Sequence, residues 1–146
     1  MGEHIDDTVI FSSFKKLMIL EDNPVDAQLY QELFPNADVY IDAREGLADF
    51  SPRSHSALIT DIRMPYLSGF DVAKELRSQY GSRIPIIASS AIAPYDNGGS
   101  DNLSLFDMYY EKGDGFASLP DKVNSCIKNH YSKLFSGVEP SYQLSE

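Results

Sequence analysis

Asp61 closes a short apolar run, Ala57-Leu58-Ile59-Thr60, and precedes Arg63-Met64-Pro65 and Ser68-Gly69-Phe70. A carboxylate at the carboxyl end of a buried strand, on a loop that must turn before a helix, is placed for chemistry more than for packing, which makes Asp61 the candidate nucleophile. Three other segments repeat that placement. Leu17-Met18-Ile19-Leu20 ends in Glu21-Asp22, Pro85-Ile86-Ile87-Ala88 ends in Ser89-Ser90-Ala91, and Phe106 to Tyr110 ends in Glu111-Lys112-Gly113. Each run is short, apolar or aromatic and bounded by turn residues, the pattern of strands buried on both faces of a parallel sheet. Ligands of such sheets lie outside the carboxyl ends of the strands, so an acid pair, a nucleophilic carboxylate, a hydroxyl and an ammonium are expected in one pocket.

The elements that must position these groups alternate along the chain. Asn23 is suited to cap a first helix with Pro24 at its first position, and Val25, Leu29 and Leu33 recur at spacing four as its expected apolar face. Val39-Tyr40-Ile41 reads as the second strand, followed by a short helix near Ala43 to Phe50. Ser68 and Asp71 resemble a capping box, and Phe70, Ala73, Leu76 and Tyr80 continue the stripe of a third helix. A last helix near Ser118 to Phe135 is expected to bury Val123, Cys126, Ile127 and Leu134, with Cys126 as core filler. Between Ser90 and Lys112 the fourth helix is poorly written. Pro94, Asn97, Gly98, Gly99, Ser100 and Asp101 put breakers where helix formers belong, which predicts a short or irregular element.

A chain of 146 residues is the size of one domain, large enough for a single core. Residues 1–14 read as an N-terminal arm, 15–136 as the domain and 137–146 as a tail. The net charge of −10 offers no basic stripe for a phosphate backbone, so nucleic acid is not an expected partner. One cysteine, Cys126, suits a reducing compartment, and neither a bilayer-spanning run nor a signal peptide is visible, so the expected location is cytoplasmic with no membrane insertion. His4, His55 and His130 are dispersed without ligand spacing, which argues against zinc and suggests ordinary surface residues.

The alternation, with Glu21-Asp22, Asp61, Ser90 and Lys112 at successive strand ends, resembles the receiver domain of two-component response regulators over roughly residues 15 to 135. Its sharpest segment is Asp61-Ile62-Arg63-Met64-Pro65-Tyr66-Leu67-Ser68-Gly69, similar to the family's phosphoacceptor loop, and Leu17 to Asn23 is similar to its first strand and acidic pair. The resemblance implies a flavodoxin-like, doubly wound α/β fold: a five-stranded parallel sheet of order 2-1-3-4-5. It implies that Asp61 accepts a phosphoryl group from a histidine kinase or a phosphotransfer protein. Mg²⁺, or Mn²⁺, would be held by Asp22, Asp61 and the backbone carbonyl of Arg63, with Glu21 acting through water. Lys112 would pair with Asp61 before the transfer and with a phosphoryl oxygen after it. Ser90 and Tyr109 would form the switch that changes the face made by the fourth helix, fifth strand and last helix, where a downstream protein target binds. Gly113 departs from the pattern, standing where the family usually has Pro in a cis peptide.

Each residue has a plainer reading when taken alone. Glu21-Asp22 could serve the dipole of the helix they precede, Asp61 could cap a turn, and Lys112 could be a solvated charge. A haloacid-dehalogenase-like phosphatase would need a second Asp two residues after the first, where this chain has Arg63. A pseudo-receiver, a pure interaction module that is never phosphorylated, would keep the fold without needing all five site residues. The implied protein is therefore a phosphoacceptor and not an enzyme. With Met1 and its own tail the chain reads more naturally as a free single-domain regulator than as a receiver excised from a hybrid kinase. Oligomeric state, cognate kinase and target are not legible in one sequence.

Overall fold

The computed structural model describes residues 15–91 and 103–135. Five strands form one sheet in the order β2-β1-β3-β4-β5, and all four pairings are parallel. In chain order the elements are β1 (Lys16–Leu20), α1 (Pro24–Leu33), β2 (Asp38–Tyr40), α2 (Ala43–Asp49), β3 (His55–Asp61), α3 (Gly69–Tyr80), β4 (Ile86–Ser90), β5 (Met108–Glu111) and α4 (Leu119–Phe135). This is the expected doubly wound topology. The breaker-rich stretch Pro94 to Asp101, expected to be a short or irregular helix, lies outside the described residues, as do His4 and the arm and tail.

Alternation along the strands divides the core into two layers. Met18, Leu20, Leu58, Ile86 and Ala88 face α2 and α3 through Ala43, Phe50, Val72, Ala73 and Leu76. Ile19, Ala57, Ile59, Ile87 and Tyr110 face α1 and α4 through Tyr30, Phe34, Leu119, Val123, Ile127 and Tyr131. Because successive strand side chains point to opposite faces, continuous apolar runs are what a sheet covered on both sides requires. The central β3 is buried from His55 to Thr60, and only its last residue, Asp61, emerges partly.

The helix starts follow from their sequences. The Asn23 side chain accepts hydrogen bonds from the amides of Val25 and Asp26 at 2.9 and 3.1 Å, with Pro24 at the first helical position. Ser68 and Asp71 form a full capping box at the start of α3. The expected face of α1 is corrected in part: Leu29 and Leu33 are half-buried, Leu33 against the second layer, but Val25 is 76% exposed, and the helix's buried residues are Ala27 and Tyr30, followed by Phe34 at its end. Val25 lies in the first turn, at the open rim of the sheet, where no layer covers it.

Two histidines are also not surface residues. His55 is 3% exposed, stacked on Phe50, and its ring accepts from the Ser51 amide at 3.1 Å and pairs with Asp38 at 2.9 Å. His130 is 4% exposed and faces Asp107 at 3.8 Å. Dispersed spacing speaks against a shared metal and says nothing about burial. Cys126 is half-buried against the α1 and α4 layer, and burial pushes its thiol up to about 12, which suits a packing residue.

Candidate functional site

The order 2-1-3-4-5 places the reversal of winding between β1 and β3. From these two strands the chain departs to opposite faces of the sheet, opening a crevice at their carboxyl ends. Glu21 and Asp22 follow β1 and Asp61 ends β3 on that rim. One carboxylate oxygen from each of Glu21, Asp22 and Asp61 lies within 4.8 Å of the others, the only such group among the described residues. From the far edge, Lys112 follows β5 and reaches over the sheet. Its Nζ donates to Glu21 Oε1 at 2.6 Å and to Asp26 Oδ2 at 3.1 Å, and lies 3.7 Å from Asp61 Oδ2.

The structure thus brings together Glu21, Asp22, Asp61 and Lys112: the expected ion pair of Lys112 with Asp61 is present at 3.7 Å, and the ammonium is closer still to Glu21 and Asp26. Glu21 is 1% exposed, the most buried of the three carboxylates. An ammonium with three donors serves the deepest carboxylate first, because that group has lost most of its water. Asp26 escaped the sequence reading because 86 residues separate it from Lys112, and its only local signal is an acid in the first turn of a helix.

Asp61 is held by its surroundings on both sides. Its Oδ1 accepts from the Ile62 amide at 2.8 Å, leaving Oδ2 toward Lys112. Downstream, the Gly69 amide donates to the Ile62 carbonyl at 2.8 Å, closing the loop onto the start of α3. A Cβ on Gly69 would lie 2.3 Å from the Asp61 carbonyl oxygen, so only glycine permits this approach. Tyr66, in the same loop, takes the left-handed conformation with φ of 72°, and the guanidinium of Arg44 caps its exposed ring at 3.6 Å. The side chain of Arg63 is exposed.

Ser90 ends β4 and is 2% exposed, two residues beyond Ala88 and so on the α3 side of the sheet. Tyr109 is opposite Ala88 in register, half-buried on that same face, its ring edge-on to Phe106 at 6.5 Å. The neighbouring Ser89 points the other way and shares a buried hydrogen bond with Tyr30 of α1. Lys112 itself begins a 3-10 turn, Lys112–Asp114, and no cis peptide occurs among the described residues, consistent with Gly113 replacing the usual proline. The turn is tied back by the Tyr110 hydroxyl, which donates to the Gly115 carbonyl.

Electrostatically the site is a carboxylate excess around one cation. Burial raises Glu21 to about 7 against the lowering effect of its bond to Lys112, with the charge of Asp61 adding to the rise. Asp61 is also raised, first by burial, with Lys112 opposing. Burial pulls Lys112 down, but its bond to Glu21 and the charge of Asp61 outweigh this and leave it raised and fully protonated. Such a cluster stores repulsion that an added cation relieves.

No family model matches the sequence. Among curated proteins, the response regulator PhoP of Pseudomonas aeruginosa is 28% identical over 128 residues, covering 85% of this chain and 56% of its own length. The chain thus spans little more than half of that relative. The polar-differentiation response regulator DivK of Brucella abortus is 39% identical over 85 residues, covering 54% of this chain and 68% of DivK. Among solved structures, the response regulator TrrA of Thermotoga maritima, determined in complex with Mg²⁺ and BeF, superposes with a TM-score of 0.68 at 27% identity, over 77% of this chain and 98% of TrrA. With DivK 39% identical and covered over 68% of its length, and with the sheet order of the receiver fold, this chain belongs to the receiver domains of response regulators.

Proposed function

We propose that Asp61 accepts a phosphoryl group from a phosphohistidine of a histidine kinase or phosphotransfer protein, and that this changes the surface offered to a downstream protein. The observation that carries the reading is the meeting of three carboxylates within 4.8 Å with an ammonium 3.7 Å from Asp61. A carboxylate oxygen of Asp61 attacks phosphorus, an O–P bond forms, and the P–N bond breaks with its electron pair left on the imidazole, which takes up a proton. Ile62 N–H holds Oδ1 in place during this step, so the nucleophile does not have to be ordered at the moment of reaction. Lys112 then turns one N–H to a phosphoryl oxygen.

The donor set fits a hard divalent cation, since oxygen ligands from carboxylates with no sulfur or imidazole among them are what Mg²⁺ selects. Asp22, Asp61 and the Arg63 carbonyl would hold Mg²⁺ or Mn²⁺, with Glu21 acting through water. When bound, the ion neutralises the acidic cluster and charge on the phosphoryl oxygens. Ser90 would donate to another phosphoryl oxygen, and Tyr109 would move inward from Phe106 as it does. Both lie on the α3 side of the sheet, so the displacement is delivered along that face to β4 and β5.

On this reading the chain turns over no external substrate and at most slowly releases its own phosphate. Residues 15–136 form the receiver, and a reduced Cys126 fits a cytoplasmic setting; no helix among the described residues is long and apolar enough to cross a membrane. The test is incubation with Mg²⁺ and acetyl phosphate. Intact mass should rise by about 80 Da, the mass of one phosphoryl group, and Asp61→Asn should abolish the rise. An unmodified wild-type chain would remove the proposal and favour a pure interaction module; an Asp61→Asn chain still modified would remove Asp61 as the acceptor.

A further inference from the structure

The nearest partners of Lys112 suggest how its position is set. Glu21 and Asp26 take hydrogen bonds at 2.6 and 3.1 Å, whereas Asp61 at 3.7 Å is in ion-pair range without a bond. The backbone of the turn is tied by the Tyr110 hydroxyl on the Gly115 carbonyl and by the Gly115 amide on the Lys112 carbonyl, but these bonds do not direct the lysine side chain: a Cβ on Gly113 would meet nothing within 4 Å, and no proline follows the lysine. A lysine side chain is long and rich in rotamers, so an ammonium reaching over the sheet from such a turn needs an external anchor.

Glu21 is a poor sole anchor because it belongs to the three-carboxylate group that faces the cation site. Asp26 lies outside that group. It is carried on the first turn of α1, where its own amide is fixed to Asn23 Oδ1 at 3.1 Å. Its backbone is therefore fixed by a capped helix, and among the described residues its cationic partner is Lys112.

We infer that Asp26 is a positioning residue for phosphotransfer: it holds the Lys112 ammonium over the rim, one N–H left for a phosphoryl oxygen on Asp61. It does the work that a rigid loop after the lysine would do. The inference rests on the assignment of Asp61 as acceptor. It accounts for the lysine's two bonds and one near approach, and for an open glycine beside a residue that needs a fixed direction.

The experiment is a double-mutant cycle between Asp26→Ala and Lys112→Ala, read as initial rate of the acetyl phosphate adduct at saturating Mg²⁺. Asp26→Ala should slow the reaction roughly 5-fold, on the scale of a modest loss of orientation. Asp26→Asn, which keeps an oxygen acceptor, should recover part of it. In the Lys112→Ala background, removing Asp26 should change nothing further. A second readout needs no metal: in EDTA, urea denaturation should show that Lys112→Ala costs less stability when Asp26 is already alanine. A wild-type rate or a faster one in Asp26→Ala overturns the inference, as does slowing that persists without Lys112 or additive stabilities. If the wild-type chain takes no adduct at Asp61, the acceptor assignment itself has failed and this role falls with it; an adduct at Asp61 formed independently of Asp26 sinks this inference alone.

Discussion

Replacing Gly69 by alanine should damage stability and phosphoryl transfer together, because the added methyl meets backbone and not a side-chain tip. Its Cβ would stand 2.3 Å from the Asp61 carbonyl oxygen, 3.0 Å from Ile62 Cα and 3.2 Å from the Asp61 carbonyl carbon. Restoring ordinary contact requires a shift of about 1 Å, and forcing such a change on a packed segment costs roughly 1–3 kcal/mol. Better helix propensity for alanine returns less than about 1 kcal/mol at this end position. A net loss of about 2 kcal/mol should lower the urea midpoint by about 1 M at constant slope. The shift also moves the residue that carries the acceptor, and a misplacement of that size can cost on the order of 100-fold in rate.

Gly46→Ala is the matched control. Its Cβ would come as close, 2.2 Å, but to Leu20 Cδ2, the end of a side chain. A rotamer adjustment of about 0.5–1.5 kcal/mol is offset by about 1 kcal/mol of helix propensity in α2, so stability should stay within about 1 kcal/mol of wild type. Equal effects of the two substitutions, or a Gly69→Ala chain with wild-type midpoint and phosphorylation rate, would refute the claim that this contact positions Asp61.

Two further outcomes test the energetics. In EDTA the folded chain should lose stability as pH rises from 5 to 8: Glu21 titrates near 7 when folded against 4.5 when unfolded, so the folded state holds a proton the unfolded state has released. The stabilisation is complete below pH 4.5 and gone above about 7, amounting to at most about 3 kcal/mol; Asp61, raised in the same sense, adds to the slope. Glu21→Gln should flatten most of this dependence, and denaturation that shows stability rising over the interval contradicts the account. Arg77→Met should cost about 3–5 kcal/mol in urea denaturation, because buried Arg77 binds the carbonyls of Leu105, Gly81 and Ile84 and faces Asp107 at 3.5 Å. A cost below about 1 kcal/mol would mean the buried guanidinium has no net role.

What could be read in advance was what local pattern encodes. Apolar runs at β1, β3 and β4 marked strands covered on both faces, and the caps at Asn23 and Ser68 were visible because they depend on neighbours two or three residues away. The strand expected from Phe106 to Tyr110 begins only at Met108, because Phe106 turns into the α3 layer and Asp107 bonds the Ile86 amide at 2.6 Å. Spacing four on α1 selected Val25 where the sheet selects Ala27, Tyr30 and Phe34, a choice made by the layer it packs on. The site residues were legible as strand-end chemistry, but not the order of preference of Lys112 among carboxylates or the part of Asp26. Those depend on contacts between residues 86 and 91 positions apart and on how deeply each acid is buried.

The most direct test of the central claim is to find which carboxylate carries the phosphoryl group. Borohydride reduction of an acyl phosphate turns the modified aspartate into homoserine, which peptide mass mapping then places. The account predicts homoserine at position 61 in the chain treated with Mg²⁺ and acetyl phosphate, and none without the donor. Homoserine at Asp22 or Asp26, or none anywhere in the treated chain, would contradict it.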